Sequence, residues 1–340
     1  MSGRTGDGSL RLMRESLAAL GPIRRPIIVG DGSGTLEAAL RSAGAEPCVW
    51  LREATAKTAI APRPWPEGDG FDAALIRLPK ARDSLLFALH AAAAATLPGS
   101  VMAVFGQNAE GIRSAASRLG FVADDAGTLA TGHHARVLTG RRRAAIDGLK
   151  GRLEDWRQDG TIDLGGGART WISYPGTFAK GGLDDGTAFL LANVPTIATG
   201  ARILDYAAGT GVIAAALGER GRDVAVDMIE ADTLALAAAR ENAPRARPLC
   251  GTTLSAAGVE TYDLIVSNPP IHDGVDETHA VLERLIADAA SHLRPGGELL
   301  LVVQRRVPVL PLLRKAFPSA RVVDDNGRFT VASARRAAHG

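Results

Sequence analysis

An α/β fold in two tandem halves, each a mostly parallel sheet with helices on both faces, is what this sequence predicts. Three observations carry that expectation. Short apolar strands alternate with helical segments at the spacing that crossover connections between parallel strands require. The order of elements in the first half recurs in the second. At 340 residues the chain is long enough for two domains, each with a sizeable core.

The first half opens with a helix expected over residues 10–20, then a strand at 26–29 with the apolar run Ile27-Ile28-Val29. Gly30-Asp31-Gly32-Ser33-Gly34 turns the chain into a helix reaching Ala43, and a strand is expected at 48–51. Another strand opens at Phe71 and runs to Pro79. The alanine-rich stretch 85–97 is broken by His90 and too short to span a bilayer, so it reads as a buried helix. A strand over 100–105 closes this run.

The second half repeats the order. A strand at 201–205 leads through Ala207-Ala208-Gly209-Thr210-Gly211 into a helix at 212–220. A strand at 223–229 delivers Glu230, a helix follows at 234–242, and Tyr262 opens an apolar strand to Ser267. A helix at 281–293 and a strand at 298–303 complete the set. Equivalent strands share an opening, Phe71-Asp72-Ala73-Ala74-Leu75-Ile76 beside Tyr262-Asp263-Leu264-Ile265-Val266. Beyond them the first half has Arg77-Leu78-Pro79-Lys80 where the second has Ser267-Asn268-Pro269-Pro270. The halves therefore read as a duplication, residues 1–150 a degenerate copy and 151–340 the chemically active domain. The boundary is expected near Gly151, in the basic, polar stretch after Arg141.

Composition excludes little. The chain is 46% hydrophobic and 22% charged with a net charge of +2, ordinary values for a soluble protein. Its basic residues are clustered, as in Arg24-Arg25, Arg141-Arg142-Arg143, Arg305-Arg306, Arg314-Lys315 and Arg335-Arg336. Such clusters suit a phosphate backbone, and equally suit solvated helix ends. The two cysteines, Cys48 and Cys250, have no metal-ligand or disulfide spacing, so no metal site is expected and a reducing cytoplasm fits. The polar, glycine-rich start lacks the apolar core of a signal peptide, no membrane span is expected, and the protein is expected to be a monomer.

Two constellations in the second half carry chemistry. The first is the turn after Asp205. Small residues there (Ala207, Gly209, Gly211) let a ligand approach the backbone closely. An acid at the start of such a turn repels a pyrophosphate, whereas it can engage an amino-acid ammonium directly or through water. Glu230, 25 residues beyond Asp205, is placed for two ribose hydroxyls. A ligand with a ribose and an amino-acid tail but no phosphate is S-adenosylmethionine. The alternative is that Asp205 caps the following helix and Glu230 merely precedes another.

The second constellation is Asn268-Pro269-Pro270, about 60 residues after that turn. The Asn268 side-chain oxygen and the Pro269 carbonyl are acceptors that can grip the two hydrogens of a planar exocyclic amine. That grip turns the nitrogen lone pair toward a methyl donor. The prolines stiffen the turn and remove competing backbone donors.

Asn268-Pro269-Pro270-Ile271-His272-Asp273-Gly274 resembles the signature of the bacterial ribosomal RNA guanine-N2 methyltransferases, whose usual form is Asn-Pro-Pro-Phe-His-Asp-Gly. Tyr174-Pro175-Gly176-Thr177-Phe178-Ala179-Lys180-Gly181-Gly182-Leu183-Asp184 is similar to their Pro-Gly-Val-Phe-Ser-x-Asp-Gly-Leu-Asp element. The segment from Phe105 to Ala115 resembles part of their inactive N-terminal domain. The resemblance implies tandem Rossmann-like methyltransferase domains, the first aiding RNA binding or folding and the second active. It implies S-adenosylmethionine as methyl donor, held by Asp205, Ala207, Gly209, Gly211, Glu230, Thr252, Phe178 as a wall and Asp184 as a polar contact. Asn268, Pro269 and Pro270 would be catalytic, with Ile271, His272 and Asp273 on the substrate side and ribosomal RNA or a ribosomal subunit as partner. Three departures stand out. Ile271 replaces the aromatic that stacks on the base, a loss of about 1–3 kcal/mol of stacking. Tyr206 and Ala207 replace a small residue and the first glycine. Gly251-Thr252-Thr253 stands where many methyltransferases have an acid.

The reaction implied is in-line displacement at the sulfonium methyl by the amine, driven mainly by positioning. The amine becomes acidic as it is methylated, so His272 or Asp273 need only relay a proton. Alternatives are an adenine-N6 or protein-glutamine methyltransferase, or a non-catalytic RNA-binding relative with a vestigial pocket.

Overall fold

An aspartate starts the first helix. Asp7 accepts from the backbone N–H of Ser9 at 2.9 Å and so caps α1 (Gly8–Ser16), satisfying a donor that the helix itself leaves free. The computed structural model describes residues 7–55, 58–178, 182–221, 223–269 and 275–338, with backbone alone for 82 and 275–279. The chain divides into two units, Met1–Arg157 and Gln158–Gly340.

In the first unit α1 is followed by β1 (Pro26–Val29), α2 (Thr35–Ser42), β2 (Cys48–Trp50), β3 (Phe71–Arg77), α3 (Arg82–Ala95), β4 (Thr96–Gln107), α4 (Ala115–Val122), β5 (Ala123–Gly132) and β6 (Ala135–Arg142). The sheet order is β2-β1-β3-β4-β6-β5, with β2 to β4 parallel and β6 and β5 antiparallel. Leu36 and Leu40 of α2 and Leu12 and Met13 of α1 pack with Ile28, Leu75, Ala103 and Phe105 into one core.

The second unit begins with the hairpin β7 (Gln158–Asp163) and β8 (Ala168–Ser173), then α5 (Asp185–Ala192). It continues through β9 (Arg202–Tyr206), α6 (Val212–Gly218), β10 (Ala225–Glu230), α7 (Thr233–Asn242), β11 (Arg247–Cys250) and β12 (Tyr262–Ser267). It ends with α8 (Val275–His292), β13 (Leu293–Gln304), α9 (Val309–Ala316), β14 (Arg321–Asp325) and β15 (Phe329–Arg335). The order β11-β10-β9-β12-β13-β15-β14 is parallel up to β13 and antiparallel beyond. Alternation along each strand feeds two cores. Ile203, Leu264, Val266, Leu300 and Val302 face one side; Leu204, Ile265, Leu299, Leu301 and Val303 face the other. Both faces are buried, so the strands read as continuous apolar runs.

The two units share one topology, with no counterpart of β11 among the described residues of the first. The likeness extends to irregularities. The β3–β4 pairing shifts register between Phe71 and Ala73, and β12–β13 shifts between Tyr262 and Leu264. Asp72 accepts from the backbone N–H of Arg24 and Arg25, as Asp263 does from that of Arg202. This register corrects the sequence alignment by one residue. Val29 opposes Ile76 as Tyr206 opposes Ser267, so Arg77, not Leu78, stands at the position of Asn268.

Gly151 to Trp156, expected to open the second half, falls in the first unit. There Trp156 meets Phe87 edge-on at 5.3 Å and His90 at 5.2 Å, and Lys150 lies over its ring. The basic clusters are mostly tied down. Arg142 donates to the carbonyls of Ala93, Arg143 and Ala144, Arg143 pairs with Asp124 at 2.9 Å, and Arg335 pairs with Glu298 at 3.0 Å. Among the described residues no helix is long and apolar enough to cross a membrane and no cluster is built to hold a metal.

Candidate functional site

β9, β10 and β12 are parallel neighbours, so their C-terminal ends lie side by side. Asp205, Glu230 and Asn268 are thereby gathered at one edge of the sheet, where open α/β sheets form ligand crevices.

Asp205 has no exposed surface. Its Oδ2 accepts from the backbone N–H of Ala214 at 2.9 Å, in the first turn of α6, while Oδ1 is buried without a partner. The capping arrangement expected as the alternative is therefore present. Burial pushes the Asp205 carboxyl up to about 7; the Ala214 hydrogen bond opposes this and the charge of Glu230 adds to it.

The turn after Asp205 carries three left-handed residues. Ala207 has φ 59°, Gly209 φ 55° and Gly211 φ 86°. Ala207 thus adopts a backbone conformation that costs an L-residue about 1–2 kcal/mol. At Gly211 a Cβ would also lie 3.1 Å from the Ala239 Cβ, so close packing of α6 on α7 demands glycine. At Gly209 the space beside the backbone is open, with no described atom within 4 Å of a Cβ position.

Glu230 holds that turn from the neighbouring strand. Its Oε2 accepts from the Gly209 N–H at 2.8 Å and its Oε1 from the Asp232 N–H at 2.9 Å. Burial raises its pKa, and the N–H groups of Asp232 and Gly209 counter this. Tyr206 does more than crowd the turn. Its hydroxyl donates to the Thr252 carbonyl at 2.8 Å, strapping the loop after β11 to the end of β9. Thr252 is half-buried, and Phe178 is 62% exposed.

Asn268 sits at the end of β12, half-buried, followed by the buried Pro269. Ser267 fixes the strand end by donating to the Tyr206 carbonyl at 2.6 Å. The Asn268 Nδ2 donates to Asp184 (3.3 Å to Oδ1, 3.4 Å to Oδ2) and to Thr187 Oγ1 at 3.0 Å. Asp184, expected as a polar contact to the cofactor, caps α5 by accepting from Gly186 and Thr187 and also accepts from Asn268. Pro270, Ile271, His272 and Asp273 lie outside the described residues.

Sequence reasoning missed Thr187, Trp171 and Asn242. Asn242 accepts from the Ile172 N–H and donates to the Ile172 and Thr210 carbonyls, while the Trp171 indole donates to Thr210 Oγ1 at 3.1 Å. The hairpin strand β8 and α7 thus grip the cofactor-type turn together. An available signal for Thr187 was Asp184 before the apolar run of α5, which marks a helix start and places Thr187 in its first turn.

Residues 168–333 match the family described as Methyltransferase small domain, and residues 25–158 match Methyltransferase small domain N-terminal. A Ribosomal RNA small subunit methyltransferase C of Ectopseudomonas mendocina is 34% identical over 275 residues, 80% of this chain and 81% of that one. One from Shewanella loihica is 28% identical over 286 residues, 80% of this chain and 79% of that one. Among solved structures, a T. thermophilus 16S rRNA N2 methyltransferase in complex with AdoMet and guanosine has a TM-score of 0.84 at 20% identity, covering 98% of this chain and 92% of that one. That likeness extends the fold to nearly the whole chain.

Proposed function

This chain belongs to the ribosomal RNA small subunit methyltransferase C family, and on that footing we propose that it methylates the exocyclic N2 amine of a guanine in small-subunit ribosomal RNA, with S-adenosylmethionine as donor. The observation that carries the reading is Asn268. Its amide nitrogen is committed to Asp184 and Thr187, so its carbonyl oxygen is the end left to receive an N–H donor. No described residue donates to that oxygen.

The residues present fit the methyl donor. Open space beside Gly209 admits a ligand against the backbone, the buried Asp205 oxygen lacks a partner, and Glu230 stands at the next strand end. When bound, S-adenosylmethionine supplies an electrophilic methyl group on a sulfonium. Asp205, Ala207, Gly209, Gly211, Glu230, Thr252 and Phe178 would form its surroundings, Glu230 accepting from ribose hydroxyls and Asp205 reaching an ammonium through water. Asn268 Oδ1 and the Pro269 carbonyl would accept from the two N–H groups of the amine and so fix the direction of its lone pair. Transfer of that methyl to the amine nitrogen would leave the electron pair of the C–S bond on sulfur, and the methylated amine would give up a proton to water. Positioning supplies the acceleration. Within this reading residues 1–157 are a degenerate copy whose equivalent of Asn268 is Arg77, the substrate is ribosomal RNA free or in the subunit, and the site of action is the cytoplasm.

Methylation of small-subunit ribosomal RNA from a deletion strain, followed by nucleoside mass spectrometry, tests the proposal. N2-methylguanosine is expected, and Asn268→Ala should abolish it while leaving cofactor affinity within a few-fold. N6-methyladenosine as product, or full turnover by Asn268→Ala, would overturn it.

A further inference from the structure

We propose that Asp184 and Thr187 are positioning residues that set the polarity of the Asn268 amide, fixing which of its two ends meets the acceptor. The inference deepens the reading above and rests on it. An asparagine amide is nearly symmetric in shape and opposite in chemistry at its two ends. Rotated by half a turn, Asn268 would present an NH2 to the incoming NH2, donor against donor. A carboxylate has only acceptor sites, so Asp184 admits only the Nδ2 end of Asn268. Thr187 Oγ1 accepts the second proton at 3.0 Å. With both N–H groups engaged, Oδ1 is directed away from Asp184.

The clamp is anchored. Asp184 is held by the Gly186 and Thr187 N–H groups at 3.0 and 3.2 Å, and Leu190 and Leu191 bury α5 in the core that contains Ile203. Gly186 lets that helix end approach β15, since a Cβ there would come within 3.2 Å of the Phe329 ring. The first unit supplies an internal comparison. Its helix-cap acid Asp7 reaches the end of β3 in the same way and contacts Arg77, which occupies the place of Asn268, at 3.1 Å. The tether between helix cap and strand end is therefore common to both units. What differs is its chemistry. At the third helical position the first unit has Leu10, and only the second has a hydroxyl, Thr187. In the first unit the tether serves an ion pair shared with Glu110; in the second it selects one face of an amide.

The variant Asp184→Asn separates the clamp from the helix cap, because asparagine caps a helix as well as aspartate does. Its amide, however, presents a donor where Oδ2 was, which favours the reversed Asn268 amide. Turnover should fall on the order of 100-fold, the scale of a misoriented reacting group, with cofactor affinity within threefold and the melting temperature nearly unchanged. Thr187→Val should lower turnover about tenfold, and Thr187→Ser should recover most of that loss. In 15N spectra the Asn268 side-chain NH2 pair, assigned by its absence in Asn268→Ala, should exchange slowly in the wild type and move in Thr187→Val.

Wild-type turnover by Asp184→Asn alongside an inactive Asn268→Ala would sink the clamp and spare the proposed reaction. An active Asn268→Ala would instead sink the reaction reading itself. Loss of cofactor binding in step with turnover in Asp184→Asn would overturn the clamp by making Asp184 a cofactor contact.

Discussion

Asp205 makes the stability of the second unit fall as pH rises from about 4 to about 7. Its folded pKa of about 7 lies above its ordinary value of 3.8, and burial is the main cause. In that window the folded chain keeps a proton that the unfolded chain has released, so each increment of pH favours unfolding; above about 7 the loss is complete. A shift of about three units corresponds to roughly 4 kcal/mol. Asp205→Asn removes the titration while keeping an oxygen for the Ala214 N–H. Its new NH2 group, placed where Oδ1 lacks a partner, costs about 1–3 kcal/mol at every pH. The measurement is therefore the pH dependence of the difference between the two proteins. About 3 kcal/mol of this falls between pH 4.5 and 8, so paired thermal melts at pH 4.5, 5.5, 6.5 and 8 should show Asp205→Asn gaining on the wild type by roughly 6–12 °C across the series, at about 2–4 °C per kcal/mol. On the proposed water-mediated contact of Asp205 with the cofactor ammonium, calorimetry along the same series should find affinity rising through pH 7 in the wild type. A difference that stays constant with pH would refute the buried, protonated Asp205.

Glu230→Ala should weaken cofactor binding by roughly 1.5–3 kcal/mol in calorimetry, the loss of a charged acceptor for ribose together with the anchor of Gly209; unchanged affinity would place the ribose elsewhere. Ala207→Gly should stabilise the protein by about 0.5–1 kcal/mol, because relief of the left-handed strain outweighs the chain entropy of glycine; a lower melting temperature would contradict this. Titration of the full chain should find one cofactor site, since the first unit has Ile28, not an acid, at the register position of Asp205. Arg141→Glu should lower the salt slope of RNA binding by roughly 0.7–0.9, whereas Arg142→Glu should destabilise the fold by freeing three carbonyls; an unchanged slope in Arg141→Glu would remove that cluster from the RNA interface.

Much of the fold was legible because its signals are local. Apolar runs such as Leu264-Ile265-Val266, and turns such as Gly209-Thr210-Gly211, announce buried parallel strands and tight strand-to-helix turns without reference to distant residues. The missed elements lack such signals. β5 is largely exposed and polar, and β6 and β15 are strands because they pair antiparallel with β4 and β13. β7 and β8 form a hairpin whose inward residues Ile162 and Trp171 acquire a core only when the sheet of the second unit is present.

By itself the sequence determined the duplicated α/β order, and it put Asp205 with the Gly209 turn, Glu230 and Asn268-Pro269 at the C-terminal ends of neighbouring strands. It did so because each is a short-range pattern with a fixed backbone consequence. The tertiary structure decided what those groups do to one another. It sealed Asp205 beneath α6 and raised its pKa, aimed Glu230 at the Gly209 N–H, and placed Arg77 instead of Leu78 opposite the role of Asn268. It also brought Asp184 against Asn268, 84 positions away in the chain. Hydrogen bonds act over about 3 Å, and only folding brings such separated residues within that distance.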